Sequence, residues 1–233
     1  MQIRRSNERG HANHGWLNAF HTFSFADFYD AEYVQFETLR VINQDTIEPA
    51  MGFGTHGHKD MEIVTYVLDG VLEHEDSMGN GSQIRPGEVQ YMSAGSGVTH
   101  SEFNGSKSEK AHLLQMWVHP AERSTTPRYD QKMFPIEGRR GQLQLVVSPD
   151  GQGESIEIGQ DARLYTGLFT DGESTSYELP AKRSAWIHVA RGSVRVNGED
   201  LGPGDGAGLR DAGPITIEGV HDAELVMWDL AKI

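Results

Sequence analysis

The sequence predicts an all-β protein built from two successive antiparallel barrels, and three observations point there. Twenty-seven glycines and nine prolines divide its 233 residues into short segments of strand-like composition. Sustained apolar periodicity at 3.6 residues, the mark of an amphipathic helix, is hard to find. The two halves also echo each other. YVLDGVLEHEDSMGNGSQIRPGEVQYM and HVARGSVRVNGEDLGPGDGAGL both run strand, glycine turn, strand, glycine turn, then Pro-Gly-(Glu/Asp), as a duplicated barrel would. Many short strands at near-regular spacing argue for barrels or sandwiches.

In chain order, Met61–Leu68 is closed by Asp69-Gly70, a two-residue hairpin signal. Val71–Asp76 runs to the turn Met78-Gly79-Asn80-Gly81. Gln83–Arg85 meets Pro86-Gly87, and Val89–Met92 follows. Val98–Phe103 ends at Asn104-Gly105, and Ala111–His119 completes the first set. The span Pro120–Gly141, with Pro127 and Pro135, reads as a connector, which sets the expected division at residues 1–135 and 136–233. Strand patterns then resume at Leu143–Ser148, Leu164–Phe169, Ser176–Leu179, Ala185–Ala190, Val194–Asn197, Ile215–Glu218 and Glu224–Asp229.

Composition narrows the function classes. Hydrophobic residues at 37% and charged residues at 23% fit a globular core rather than a disordered chain. No run approaches the roughly eighteen apolar residues of a membrane span. The opening MQIRRSNERGHANHGW lacks the apolar stretch of a signal peptide, so a cytoplasmic location is expected. There is no cysteine, which excludes disulfides, thiolate ligands and cysteine nucleophiles. The net charge of −14 repels phosphate backbones. Arg4–Arg5 and Arg139–Arg140 are only pairs, so no direct nucleic-acid binding is expected.

One constellation carries chemistry. His56 and His58 lie two apart, as do His100 and Glu102. Residues i and i+2 of a strand share a face. Two neighbouring strands would therefore offer three imidazoles and a carboxylate to one first-row divalent metal. Among eleven histidines a single His-x-His is ordinary; two dyads in strand-like segments of one half are less so.

The surrounding motifs carry a family resemblance. Gly54-Thr-His-Gly-His through Glu62 and Gly70 resembles the first cupin motif, and Pro86-Gly87 through His100-Ser-Glu102-Phe-Asn104 the second. Three departures from the general pattern stand out. Ala50 takes the leading glycine's place, Ser93 replaces a proline, and His100 falls two residues late. These match the pirin branch, which the chain resembles through NERGHANHGWLNAFHTFSFADFY, GFGTHGHKDMEIVTYVLDG, HEDSMGN, MSAGSGVTHSEFN and TPRY. The match is dense over residues 5–130 and looser beyond. It implies a bicupin, two antiparallel jelly-roll barrels packed face to face. It also implies a metal held by His56, His58, His100 and Glu102 in the N-terminal barrel. Glu62, a ligand in many other cupins, is assigned to the metal's surroundings or the substrate pocket.

The remaining candidates are read as structure. His11, His14, Trp16, His21, Phe23 and Phe25 would either line an aromatic pocket or pack the barrel, and packing is the preferred reading. His74, in LEHEDS, reads as a solvated or hydrogen-bonded strand position. His112 and His119 read as structural. His188 has no histidine two residues away, so the C-terminal barrel is expected to lack metal ligands. Met51, Met61, Met78, Met92 and Met116 read as packing and pocket walls.

The ligand set leaves a divalent ion with positions for water, oxygen or a chelating substrate. Iron(II) is favoured, with nickel, cobalt, manganese, copper or zinc as alternatives. Similarity to bacterial pirin-like quercetin 2,3-dioxygenases implies cleavage of a flavonol by dioxygen to a depside and carbon monoxide. Glu102 would be the catalytic group, accepting the 3-hydroxyl proton. Three rivals remain: a redox-sensing co-regulator acting through a protein partner, a cupin enzyme acting on another enolic substrate, and a closed barrel holding structural zinc.

Overall fold

A computed structural model describes residues 1–233. The N-terminal half opens with β1 (Gln2–Arg4), β2 (Gly10–Asn13), β3 (Leu17–His21) and β4 (Leu39–Ile47). Next come β5 (Gly52–His58), β6 (Glu62–Asp69), β7 (Leu72–Asp76), β8 (Gly81–Ile84), β9 (Glu88–Ser93), β10 (Val98–Asn104) and β11 (Ala111–Val118). The hairpin signals fall where these strands turn. At Gly70, φ is +77° and an added Cβ would lie 2.5 Å from the Lys110 carbonyl oxygen, so the β6–β7 turn requires glycine.

The predicted connector contains a further strand, β12 (Arg128–Met133), paired antiparallel with β9. Its polar run RYDQKM gave no apolar alternation to find, because it forms the edge of its sheet. After the single helical turn Ile136–Arg139 come β13 (Leu143–Ser148), β14 (Ile156–Glu157), β15 (Ala162–Phe169) and β16 (Ser174–Leu179). The chain ends with β17 (Arg183–Val196), β18 (Glu199–Leu201), β19 (Gly206–Leu209) and β20 (Gly213–Ala231). Here β17 and β20 each join two strands that the sequence separates. They stay paired through a bend at Gly192, where φ is +62° and the register shifts.

Three sheets result. The N-terminal barrel is a seven-stranded sheet in the order β12-β9-β6-β11-β4-β3-β2, facing a four-stranded sheet β5-β10-β7-β8. The C-terminal sheet runs β1-β19-β17-β20-β15-β13-β14, with β16 on β20 and β18 on β17. Its ladders are antiparallel except β13 with β14. The first strand belongs to this sheet, with Gln2 opposite Gly208, and ties the chain's start to its second half.

Strand alternation decides which side chains reach which core. On β6, Val64, Tyr66 and Leu68 pack in a 25-residue apolar cluster shared with Val146, Leu164, Trp186 and Trp228 of the other half. The intervening Val67 faces the inside of the N-terminal barrel, in a cluster of only eight. The joint between the barrels is therefore the larger core. Each fully buried large apolar side chain there contributes about 1.5–3 kcal/mol. The N-terminal barrel's interior is left partly open.

Candidate metal centre

The donor residues project into that open interior from the four-stranded sheet. β5 pairs antiparallel with β10, placing His56 opposite His100. A bulge between His100 and Glu102 brings Glu102 opposite Phe53. Nitrogens of His56, His58 and His100 all lie within 4.8 Å of one another. The Nε2 atoms of His56 and His100 are 3.1 Å apart. At His56 the other nitrogen fixes the tautomer, Nδ1 donating to the Gly54 carbonyl at 2.9 Å.

His100 is aimed by a relay that the sequence reading missed. The Asp76 carboxylate accepts backbone N–H bonds from Met78 and Asn80, and one from the Asn80 side chain. It also accepts from His74 Nε2 at 3.2 Å. His74 Nδ1 is thereby left as an acceptor, 3.5 Å from His100 Nδ1. His74 is only 1% exposed and stacks on Tyr129, so of the two alternatives read for it the hydrogen-bonded strand position holds and the solvated one is corrected. Because the acidic neighbours Glu73 and Glu75 point away on alternate positions, LEHEDS looked more exposed than its even face is.

These bonds leave the Nε2 lone pairs of His56 and His100 facing each other. Such contact is repulsive unless a cation lies between them. Two cis ligands about 2.1 Å from one ion stand about 3 Å apart, so the pair fits a bound metal. Burial first, then neighbouring imidazoles, lower His58 to about 4 and His100 to about 3, keeping both neutral and able to coordinate.

Glu102 is buried beside this group. Its Oε2 accepts from Gln115 Nε2 at 2.8 Å, and Trp117 donates to Gln115 in turn. Its Oε1 is buried without a partner, as a metal-directed oxygen would be. The donor atoms form two overlapping groups, His56–His58–His100 and His74–His100–Glu102. His100 belongs to both.

A cavity of about 210 Å³ opens over these residues, walled by Phe25, Phe53 and Trp117, with His21, Asn43 and Asp45 as further polar lining. It continues outward into a space of about 420 Å³ bordered by His11, His14 and His21. The packing reading of the early aromatic cluster holds for Phe23, which sits against Trp186 in the joint. It is corrected for His11, His14, His21 and Phe25, which line the entrance because β3 turns Leu17, Ala19 and His21 inward.

Glu62 is also corrected. It shares the face of Val64 and Tyr66, towards the C-terminal half, where it accepts from Tyr91, from Ser93 at 2.8 Å and from the Gly159 N–H at 3.2 Å. It serves the joint and lies outside the metal cavity. Of the methionines, Met92 and Met116 are buried and Met61 packs partly buried against the cluster of Ile63 and Met92, whereas Met51 and Met78 are exposed. Fully buried His188 lies 3.4 Å from Gln44, and both donor groups fall within residues 56–102.

Fold and donor group together define a bicupin with a nitrogen-and-oxygen site for a divalent metal. The Pirin family model matches residues 2–118, and a quercetinase C-terminal cupin domain model matches residues 145–230. The chain belongs to the pirin family. It is 47% identical to a quercetin 2,3-dioxygenase of Escherichia coli strain K12 over 234 residues, covering 100% of both chains. A pirin-like protein of Caulobacter vibrioides is 42% identical over 223 residues, 95% of this chain and 96% of its own. The crystal structure of the bacterial pirin YhhW from Escherichia coli in complex with nickel(II) superposes with a TM-score of 0.94. It is 46% identical and covers 100% of this chain and 99% of that one.

Proposed function

We propose that the protein is a metal-dependent dioxygenase that cleaves a flavonol such as quercetin with dioxygen to a depside and carbon monoxide. In this reading residues 1–135 form the metal-binding unit and residues 136–233 a metal-free partner barrel. His56, His58, His100 and Glu102 hold one divalent ion, iron(II) by preference. The observation that carries the reading is the facing pair of imidazole lone pairs beneath an aromatic-walled cavity. The relatives named quercetin 2,3-dioxygenase support the reaction, and the nickel-bound pirin supports the divalent ion. No helix is long and apolar enough to cross a membrane, and a cytoplasmic site of action belongs to the same proposal.

A divalent ion bound there would lower the pKa of a coordinating hydroxyl. The chain's own residues do the rest. Phe25, Phe53 and Trp117 offer flat apolar walls to a planar ring system and exclude water from it. Gln115 holds the Glu102 carboxylate in place, and the His74–Asp76 pair holds His100.

The test loads stripped protein separately with iron(II), nickel, cobalt, manganese, copper or zinc and adds quercetin in air. Loss of flavonol absorbance with carbon monoxide release, abolished in His56→Ala and Glu102→Ala, is the expected result. Stoichiometric metal without turnover by any ion would overturn the dioxygenase reading. Activity on another enolic compound would move the substrate, and zinc held without exchange would mark a structural site.

A further inference from the structure

The cavity contains a second buried carboxylate. Asp45 lies on β4 two residues from Asn43, so both point into the barrel from the sheet facing His56 and His58. It is 4% exposed, and its Oδ1 meets no hydrogen-bond donor. No lysine or arginine lines this cavity. A buried carboxylate without a partner costs stability. An asparagine of the same shape would carry no such charge. Proteins keep locally unfavourable groups of this kind where function requires them.

We propose that Asp45 is the proton acceptor for the substrate's hydroxyl. The O–H bond of an enol or phenol entering the cavity breaks, the proton passes to the Asp45 carboxylate, and the electron pair stays on the substrate oxygen. The inference rests on the metal-centre reading above and revises one part of it. A Glu102 engaged by the ion and by Gln115 is relieved of the proton that the family resemblance gave it. His21 is the other base lining the cavity wall. Its Nδ1 donates to Asn43 Oδ1 at 2.8 Å, which leaves Nε2 as its basic nitrogen, but burial lowers its pKa and makes it the weaker acceptor. Burial chiefly, with Glu102 nearby, raises the Asp45 carboxyl to about 7, which suits a group that takes up and returns a proton near neutrality.

The experiment uses metal-loaded protein under nitrogen and maltol, a hydroxypyranone that carries the flavonol's hydroxy-ketone without its other rings. Calorimetric titration in buffers of different ionisation enthalpy counts the protons released, and absorbance reports whether bound maltol is the anion. The native chain is expected to bind the anion while keeping the proton. Asp45→Asn is expected to hold the same metal, bind maltol about tenfold more weakly, and release a proton to the buffer. It should melt no lower than the native chain, because an unpaired charge has gone. A native chain that does not bind maltol, a variant indistinguishable from it, or a variant that loses its metal would each overturn the proposal. Maltol behaving as expected while quercetin is left intact would remove the flavonol reading and leave Asp45 in its role.

Discussion

His56 and His100 are aimed by what their second nitrogens meet, and this makes outlying residues testable. His74 touches His100 from behind, and its own Nε2 is tied to Asp76. Removing such an orienting partner typically costs 10–100-fold in metal affinity. His74→Ala is therefore expected to weaken nickel(II) binding by about that factor in chelator competition. Unchanged affinity would show that the relay does not matter. At this scale the sequence was legible where chemistry followed spacing. The His-x-His and His-x-Glu pairs each share a strand face, and the family motif names the same four residues. It was illegible where a side chain's value depends on a partner from another strand. His74 gains its role from His100, and Asp45 from the cavity opposite it. Glu62 was placed wrongly because its motif position was weighed above its parity with Val64 and Tyr66.

At the scale of elements, β5 and β10 must lie close for the dyads to meet. Gly52 allows this. A Cβ there would collide with the Glu102 carbonyl and lie 2.5 Å from the Phe103 Cα, so any side chain pushes β5 away. Gly52→Ala is expected to lower both the melting temperature and the metal bound per chain, since backbone cannot yield as a flexible side chain can. Unaltered metal content by elemental analysis would mean that the strands tolerate separation. The hairpins of the N-terminal barrel were readable because Asp-Gly, Pro-Gly and Asn-Gly signal turns locally. The long strands β17 and β20 were not, since Arg191-Gly192 looks like a turn and becomes a bend within continued pairing. Edge strand β12 left no apolar signature at all.

For the whole molecule, the joint between barrels is the main core, and Glu62 is its buried polar fastening. Glu62→Ala would leave the Tyr91 and Ser93 hydroxyls without their acceptor, while the Gly159 N–H keeps the Tyr91 hydroxyl at 3.3 Å. It should destabilise by about 1–3 kcal/mol in urea unfolding, with metal content unchanged; metal loss instead would return Glu62 to the centre. Acid should weaken the metal-free protein at two of its imidazoles. His58 and His100 titrate near 4 and 3 when folded but near 6.5 when unfolded. Below pH 6.5 the unfolded chain thus binds more protons. The stability that these neutral imidazoles contribute is present above pH 6.5 and is lost as pH falls towards 4 and 3. Asp45 and Glu102, raised by burial, act in the opposite sense over this range, so the imidazole part is read by difference. Between pH 7 and pH 4 the urea midpoint of stripped native protein should fall further than that of stripped His58→Ala, and equal changes would contradict the lowered values. The central claim, that three imidazoles and Glu102 share one divalent ion, is tested most directly by X-ray absorption on nickel(II)-loaded protein. The account predicts one ion per chain with three imidazoles, a count kept in His74→Ala and lost with the ion in His56→Ala. Two imidazoles in the native chain, or an ion retained by His56→Ala, would contradict it.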